Sequence, residues 1–538
     1  MKQLFTNAKI YTGAEEQTFV KSMLVKDRHV IWTGEQTETG YASGAGESDC
    51  EIVDLGGRTV VPGFIDAHMH PMMLAEYSRQ IACMPPNVDS IDNLIRLISE
   101  AAGETPNGDW ILGWGLDENK FSDERLPDRY DLDRGCADKP VFIVRCCEHI
   151  RCVNSKVLEI AGITKDTPDP PGGNIDRDEN GEPTGILREN ARDLVMPFMP
   201  KQTESDLVGT LVDLGDLLKS QGIVAIADMG NLRAGGNYAY YVKAAARGFC
   251  QRVSMYYMWD YFENDPEFEI KEKLIDGDRR LRMAGLKLIG DGSISGRTAW
   301  VKAPYLSADG RTSDEYGMPV YTDESIEKAI AFAKKNECQI SVHAMGGRAI
   351  DRIIDRVYEE DKWTSNGAPH LRVEHATEPS ESAIAKAVEK GIAFVSQPIF
   401  EYCEIESYKT NLGEDHLKTL YPYKTLLDRG ASLCFSSDAP ATSWATPSDP
   451  LVSIKSAVTR RAYDGTDTGQ NQRVDVETGI NLYTKNAAEI CGFNGLGQLV
   501  PGYCADFVVL SDDIFTIDPD QIDRIEVEQT YIDGTRVY

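Results

Sequence analysis

The sequence predicts an α/β protein: a (β/α)8 TIM barrel with a β-sandwich domain formed by both chain termini and an inserted subdomain after barrel strand 1. Three observations carry this expectation. Short apolar runs ending in polar residues recur at 59–66, 223–228, 252–257, 285–289, 340–343, 371–375, 392–396 and 433–437, the strand content of eight β/α units. A β pattern with turn signals fills the first sixty residues and returns at the far end. Finally, the segment from about 72 to 220 is too long to be one barrel connection.

Taken in order, Leu4-Phe5, Ala8–Ile10, Met23–Val25, Val30–Trp32 and Ile52-Val53 read as strands of a small all-β unit. GYASGAGESD at 40–49 reads as an exposed loop tip. The matching pattern at Ala505–Leu510 and Val527–Tyr538 completes the sandwich, since neither end has surface enough for its own core. The boundaries drawn are 1–58 for the first part of the sandwich, 59–490 for the barrel and 491–538 for the rest of the sandwich. Within the insert, 167–185 is rich in Pro and Gly and reads as an irregular surface loop or hairpin. Between the barrel runs lie helical periods. Thr322 offers N-cap chemistry, and Ile326, Ala329, Ile330 and Ala333 follow at i, i+3, i+4, i+7.

The chain has 538 residues, with 56 Lys plus Arg against 86 Asp plus Glu, a net charge of −30. That excess repels phosphate backbones and anionic bilayers, so neither nucleic acid nor a membrane is expected as a partner. Apolar residues at 41% and charged residues at 26% fit a globular protein. The twelve cysteines are scattered, with one adjacent pair, Cys146-Cys147, and no CxxC. They form no disulfide framework, which favours a reducing compartment. No secretory h-region and no run of about twenty apolar residues is seen, so a cytoplasmic enzyme is expected.

Four of the eight histidines sit at the ends of predicted barrel strands. His68 and His70 are two apart on the run that starts at Val60, so both imidazoles face one side and can reach one ion. Alone, such a pair can equally be a packing or surface pair. His343 closes 338–342, His375 closes 371–374 and Asp438 follows 433–437. Each is unremarkable by itself, a structural histidine or a turn aspartate. Together they fall at the ends of runs one, five, six and eight, which converge at one barrel mouth. Lys287 interrupts an apolar run in the fourth strand. It can be a buried lysine paired with Asp291 or another carboxylate. It can also be chemical: a desolvated lysine loses its proton readily, and its free amine can add carbon dioxide to give a two-oxygen carbamate.

VPGFIDAHMH, the Lys287 strand followed by DGSISGRTAW, SVHAMGGRAI, RVEHATEP and SSDAP together resemble the metal-dependent amidohydrolase superfamily. The branch most similar is that of the N-substituted formamide deformylases, the amidohydrolase family 3 type. The resemblance extends over nearly the whole chain, through CEHIRCVNSKVLEIAGIT and DPPGGNIDRDENGEPTGILREN to GYCADFVVL and YIDGTRVY. It implies that His68 and His70 bind the more buried ion and that His343 and His375 bind a second. Lys287 as a carbamate would bridge them, and Asp438 would be ligand and general base. Two departures bear on the substrate more than on the metal: Gly346-Gly347 stands where the family has glycine-aspartate, and Ser295-Gly296-Arg297 where it has glycine-serine-arginine.

The activity implied is hydrolysis of a carbon–nitrogen bond other than a peptide bond, in a small-molecule amide-type substrate. One or two divalent ions, zinc first, would lower the pKa of water while Asp438 accepts and returns its proton. The alternatives are a mononuclear aminohydrolase (deaminase), in which Lys287 would have no use, and a non-catalytic regulatory or binding barrel, which all six ligand positions argue against. His149, Asn154, Gln397 and Trp444 are the candidate substrate contacts. Glu189 can approach the metals or start a helix. His29, His370 and His416 read as surface residues, and Arg460-Arg461 as a solvated or ion-paired helix face. A homodimer is the assembly the resemblance suggests.

Overall fold

The computed structural model describes residues 2–35, 50–106, 108–146, 149–200, 203–230, 237–265, 268–270, 280–307 and 309–538, so the loop tip expected at 40–49 lies outside the described residues. The chain divides into two units. One comprises Met1–Pro71, Leu211–Ala439 and Ser448–Tyr538, the other Met72–Thr210 and Pro440–Pro447.

The first unit holds an eight-stranded sheet, every pairing in it parallel. In chain order its strands are β1 Phe64–Met69, β2 Ile223–Asp228, β3 Arg252–Met258, β4 Leu281–Ile289, β5 Gln339–Ala344, β6 Leu371–His375, β7 Ala393–Ser396 and β8 Ser432–Phe435. They are buried on both faces, as a parallel sheet covered by helices requires. Backbone bonds draw the chain after β8 to β1, with Asp438 N–H donating to His68 O at 2.7 Å and His70 N–H to Ala439 O at 2.8 Å. The sheet is a nearly closed barrel. The helix expected after Thr322 spans Asp323–Asn336, is capped by the Thr322 side chain at Ser325 N–H, and buries Ile326, Ala329, Ile330 and Ala333.

The run read as one strand over 59–66 is two. Thr59–Pro62 pairs antiparallel with Phe507–Leu510 and parallel with Lys9–Tyr11, so it belongs to the terminal sheet. The barrel begins at Phe64, and the boundary drawn at 59 moves accordingly. The mark of this change of sheet is the pair Pro62-Gly63 between two apolar runs, and a Cβ on Gly63 would lie 2.6 Å from Val224 Cγ1. Only glycine lets the two strands pass so closely.

Both termini contribute to the six-stranded sheet, which runs Thr535–Arg536, Val527–Ile532, Phe507–Leu510, Thr59–Pro62, Lys9–Tyr11, Phe19–Val20. A four-stranded sheet, His29–Gly34, Ser22–Lys26, Lys2–Thr6 and Cys50–Asp54, shares its apolar core through Phe5, Val25, Val60, Phe507 and Tyr531. Phe507 and Tyr531 stack with ring centroids 4.3 Å apart.

The second unit is built on a six-stranded mixed sheet, against which the helix Ile91–Glu104 packs Ile91, Leu94 and Ile98. Its stretch from 167 to 185 forms much of a β-hairpin, Gly173–Arg177 with Pro183–Glu189, turned at Asp178. The helix Glu204–Ser220, counted with the insert from sequence, is divided between the two units. No helix of the described residues is long and apolar enough to cross a membrane.

Candidate metal centre

At the C-terminal ends of β1, β6 and β8, His68, His375 and Asp438 each offer one ligand atom within 4.8 Å of the others, and all three are buried. His70 joins them, its Nε2 3.1 Å from Asp438 Oδ1, while His68 Nε2 lies 3.3 Å from the same oxygen. Lys287, 1% exposed inside the barrel, brings Nζ to 3.3 Å from His68 Nε2. Asp291 is not its partner: that carboxylate accepts from the backbone N–H groups of Trp300, Met345 and Gly346.

Each imidazole has one nitrogen tied to a protein acceptor. His68 Nδ1 lies 2.7 Å from Glu374 Oε2, His70 Nδ1 3.3 Å from Gly230 O, and His375 Nδ1 2.9 Å from Gln397 Oε1. His343 differs, with its Nε2 2.9 Å from Gly292 O. A carbonyl or carboxylate oxygen only accepts, so the tied nitrogens carry the protons. The other nitrogens of His68 and His70 then turn their lone pairs toward Asp438 Oδ1, that of His68 also lying within reach of the Lys287 amine. A cation relieves that opposition, either a proton on the ring or a metal ion. Among the described residues His375 Nε2 and Asp438 Oδ1 are buried without a hydrogen-bond partner, and buried polar atoms seldom go unmet.

The electrostatics agree. Burial raises the pKa of Asp438, but where a proton on the rings is that cation, the charge and hydrogen bond of His68 and those of His70 outweigh burial and hold it well below the usual carboxylate range. Burial lowers His70, yet Asp438 keeps it above the ordinary imidazole value. Burial and then Lys287 push His343 down to about 4, and burial and then His343 push His375 well down. Burial brings Lys287 down to about 8 against the pull of Glu374 and Asp438. His375 and Asp438 also hold positive φ, 72° and 56°, a conformation costly for non-glycine residues that persists where the surroundings enforce it.

Several expectations are corrected. Asn154 has nothing left for a substrate: its buried amide caps the helix Ser155–Ala161 at Val157 N–H, accepts from Val141 N–H and donates to the carbonyls of Cys136 and Lys139. Gln397 is spent between His375 and Ser436 Oγ, so it orients an imidazole rather than lining a pocket. His149 is exposed and pairs with Glu189 at 2.8 Å, while Trp444 is buried; these three belong to the second unit. Glu189 provides no side-chain cap to the short helix that follows it. His370 is not a surface residue but is fully buried against Trp363. His416 pairs with Glu378, and Arg460 is buried against Glu401. Glu374 was missed, although it adjoins His375.

A parallel barrel that gathers imidazoles and an aspartate at the C-terminal ends of its strands defines the class of metal-dependent barrel hydrolases. The chain belongs to the amidohydrolase family, whose sequence pattern matches residues 51–538. It is 31% identical to the amidohydrolase YtcJ of Bacillus subtilis (strain 168), over 100% of this chain and 99% of the relative. It is 26% identical to the N-substituted formamide deformylase of Arthrobacter pascens, over 99% and 98% of the two chains. The crystal structure of an uncharacterized metal-dependent hydrolase from Pyrococcus horikoshii OT3 matches with a TM-score of 0.71 at 25% identity, covering 96% of this chain and 99% of that one.

Proposed function

We propose that this chain is a metal-dependent amidohydrolase that cleaves a carbon–nitrogen bond, other than a peptide bond, in a small-molecule amide; an N-substituted formamide is the first substrate to try. The observation that carries this is the opposition of lone pairs at Asp438 Oδ1, with His375 Nε2 left bare beside it. The donor set fits a divalent ion, zinc first: neutral imidazoles, each with one nitrogen held by a protein acceptor, and an ionised carboxylate. His68, His70, His343, His375, Asp438 and Lys287 are the residues we assign to it. When bound, such an ion polarises a carbonyl and lowers the pKa of water.

The chain's own groups supply the proton traffic. Asp438, unprotonated at neutral pH, accepts the proton of the attacking water and delivers it to the leaving nitrogen. Lys287, with its pKa reduced by burial, presents enough free amine to add carbon dioxide, forming an N–C bond and releasing one proton; the resulting carbamate would add two ligand oxygens. We further read the two terminal sheets as one β-sandwich and Met72–Thr210 as the insert.

A second reading, a mononuclear aminohydrolase, is favoured by two features. His343 Nε2 is engaged with Gly292 O, and the buried group whose ligand atoms lie within 4.8 Å of one another has three members, His68, His375 and Asp438. Kinetics of Asp438→Asn on an N-substituted formamide test the main reading. Turnover should fall by about 100-fold or more with KM changed far less. Near-normal turnover in a variant that binds metal normally would remove Asp438 from the chemistry.

A further inference from the structure

The interior of the barrel is not filled by apolar layers alone. Gln339 Oε1 accepts from Tyr256 OH at 2.7 Å, and Tyr256 OH accepts from Arg372 Nη1 at 2.9 Å. Arg372 reaches Glu374 through Nε to Oε1 at 2.9 Å and Nη2 to Oε2 at 3.3 Å, and Nη2 also donates to Ala67 O. Ser341 Oγ donates to Glu374 Oε1 at 2.8 Å, and His68 Nδ1 lies 2.7 Å from Oε2. Arg372 and Glu374 are both fully buried. Every strong acceptor direction of the Glu374 carboxylate is therefore used, which keeps it from acting as a ligand itself although it adjoins His375.

We propose that Glu374, clamped by Arg372, is a positioning residue that fixes His68 in the Nδ1–H tautomer and so aims the Nε2 lone pair at the metal centre. The inference rests on the metal-centre reading above and deepens it. The clamp gives the device its stringency. Four donors converge on the two oxygens, so a neutral amide in their place must turn its NH2 against one pair of them. With its oxygen toward Ser341 Oγ and Arg372 Nε, its NH2 faces His68 Nδ1. That nitrogen must then accept, and the proton moves to Nε2, where the metal should bind.

The test is zinc titration of the metal-stripped full-length protein against a competing chelator, together with nitrogen NMR of the His68 imidazole in the metal-free state. Wild type should show Nδ1–H. Glu374→Gln should show Nε2–H and bind zinc about 10–100-fold more weakly. Because Glu374→Gln leaves Arg372 buried without a counter-charge, a second variant guards against a folding defect. In Arg372→Met with Glu374→Gln the amide is free to turn its oxygen to His68, and zinc affinity should recover at least about threefold over Glu374→Gln alone. Unchanged tautomer and zinc affinity in Glu374→Gln, or no recovery in the double variant, would overturn the proposal. A wild-type chain that takes up no zinc would instead strike the metal reading. The imidazole spectra then decide this one: a shift in Glu374→Gln upholds it, and the same tautomer in both proteins overturns it.

Discussion

Gln397→Leu separates a residue that orients a ligand from one that lines a pocket. The side chain is fully buried, and its two ends hold His375 Nδ1 and Ser436 Oγ at 2.9 Å each. Leucine fills a similar volume but offers neither an acceptor nor a donor. Two buried hydrogen bonds are lost at about 1 kcal/mol each, and the bare His375 Nδ1–H adds about 1–3 kcal/mol. The fold should therefore lose about 3–5 kcal/mol, the sum of those terms. Metal affinity should fall about 10–100-fold, because His375 is free to turn and its tautomer is no longer set. Gln397→Glu keeps an acceptor at the same place and should stay within a few-fold of wild type. Chelator-competition titration reads the affinity, and urea unfolding reads the stability. A Gln397→Leu protein that binds zinc as tightly as wild type would refute the assignment of His375 as a ligand oriented by Gln397.

Two further predictions follow from the corrected residues. His370 is enclosed with Trp363, ring centroids 4.4 Å apart, and burial pushes its pKa down to about 4 from an unfolded value near 6.5. Its contribution is fully present above pH 6.5 and is lost as pH falls toward 4, by about 3 kcal/mol from about 2.5 pKa units. His370→Phe should flatten the fall in the urea midpoint between pH 7 and 5, and an identical slope in both proteins would contradict this. Asn154→Ala removes a helix cap and the amide's bonds to Cys136 and Lys139. It should cost about 1–3 kcal/mol by thermal unfolding with KM unchanged, whereas a selective rise in KM would return Asn154 to the substrate.

The residues show what a sequence can reveal here. The eight runs were legible because parallel strands covered by helices are continuous apolar stretches, and five polar residues at their ends stood out against them. His68 and His70 were legible as a pair through the two-residue period, and their Nε2 atoms do meet one carboxylate oxygen. The same period hid Glu374. Neighbouring residues of a strand face opposite ways, so His375 and Glu374 should not both serve one site; the positive φ at His375 breaks that alternation, and no glycine announced it. The amide of Gln397 is taken up by His375 and Ser436 from neighbouring strands, which the sequence does not show, whereas Asn154 caps the helix that follows it, a role its N-cap chemistry could have announced. The split lies at Pro62-Gly63, a turn dipeptide set between two apolar runs that read as one. Glycine there answers to Val224, a residue far away in sequence.

The most direct test of the central claim is the metal content per chain, by elemental analysis after reconstitution with zinc and bicarbonate, for wild type and for His68→Ala with His375→Ala. Wild type should hold about one to two ions, two if Lys287 bridges them, and the double variant close to none. Wild type without metal, or a double variant with as much as wild type, would contradict a metal centre built on His68, His375 and Asp438.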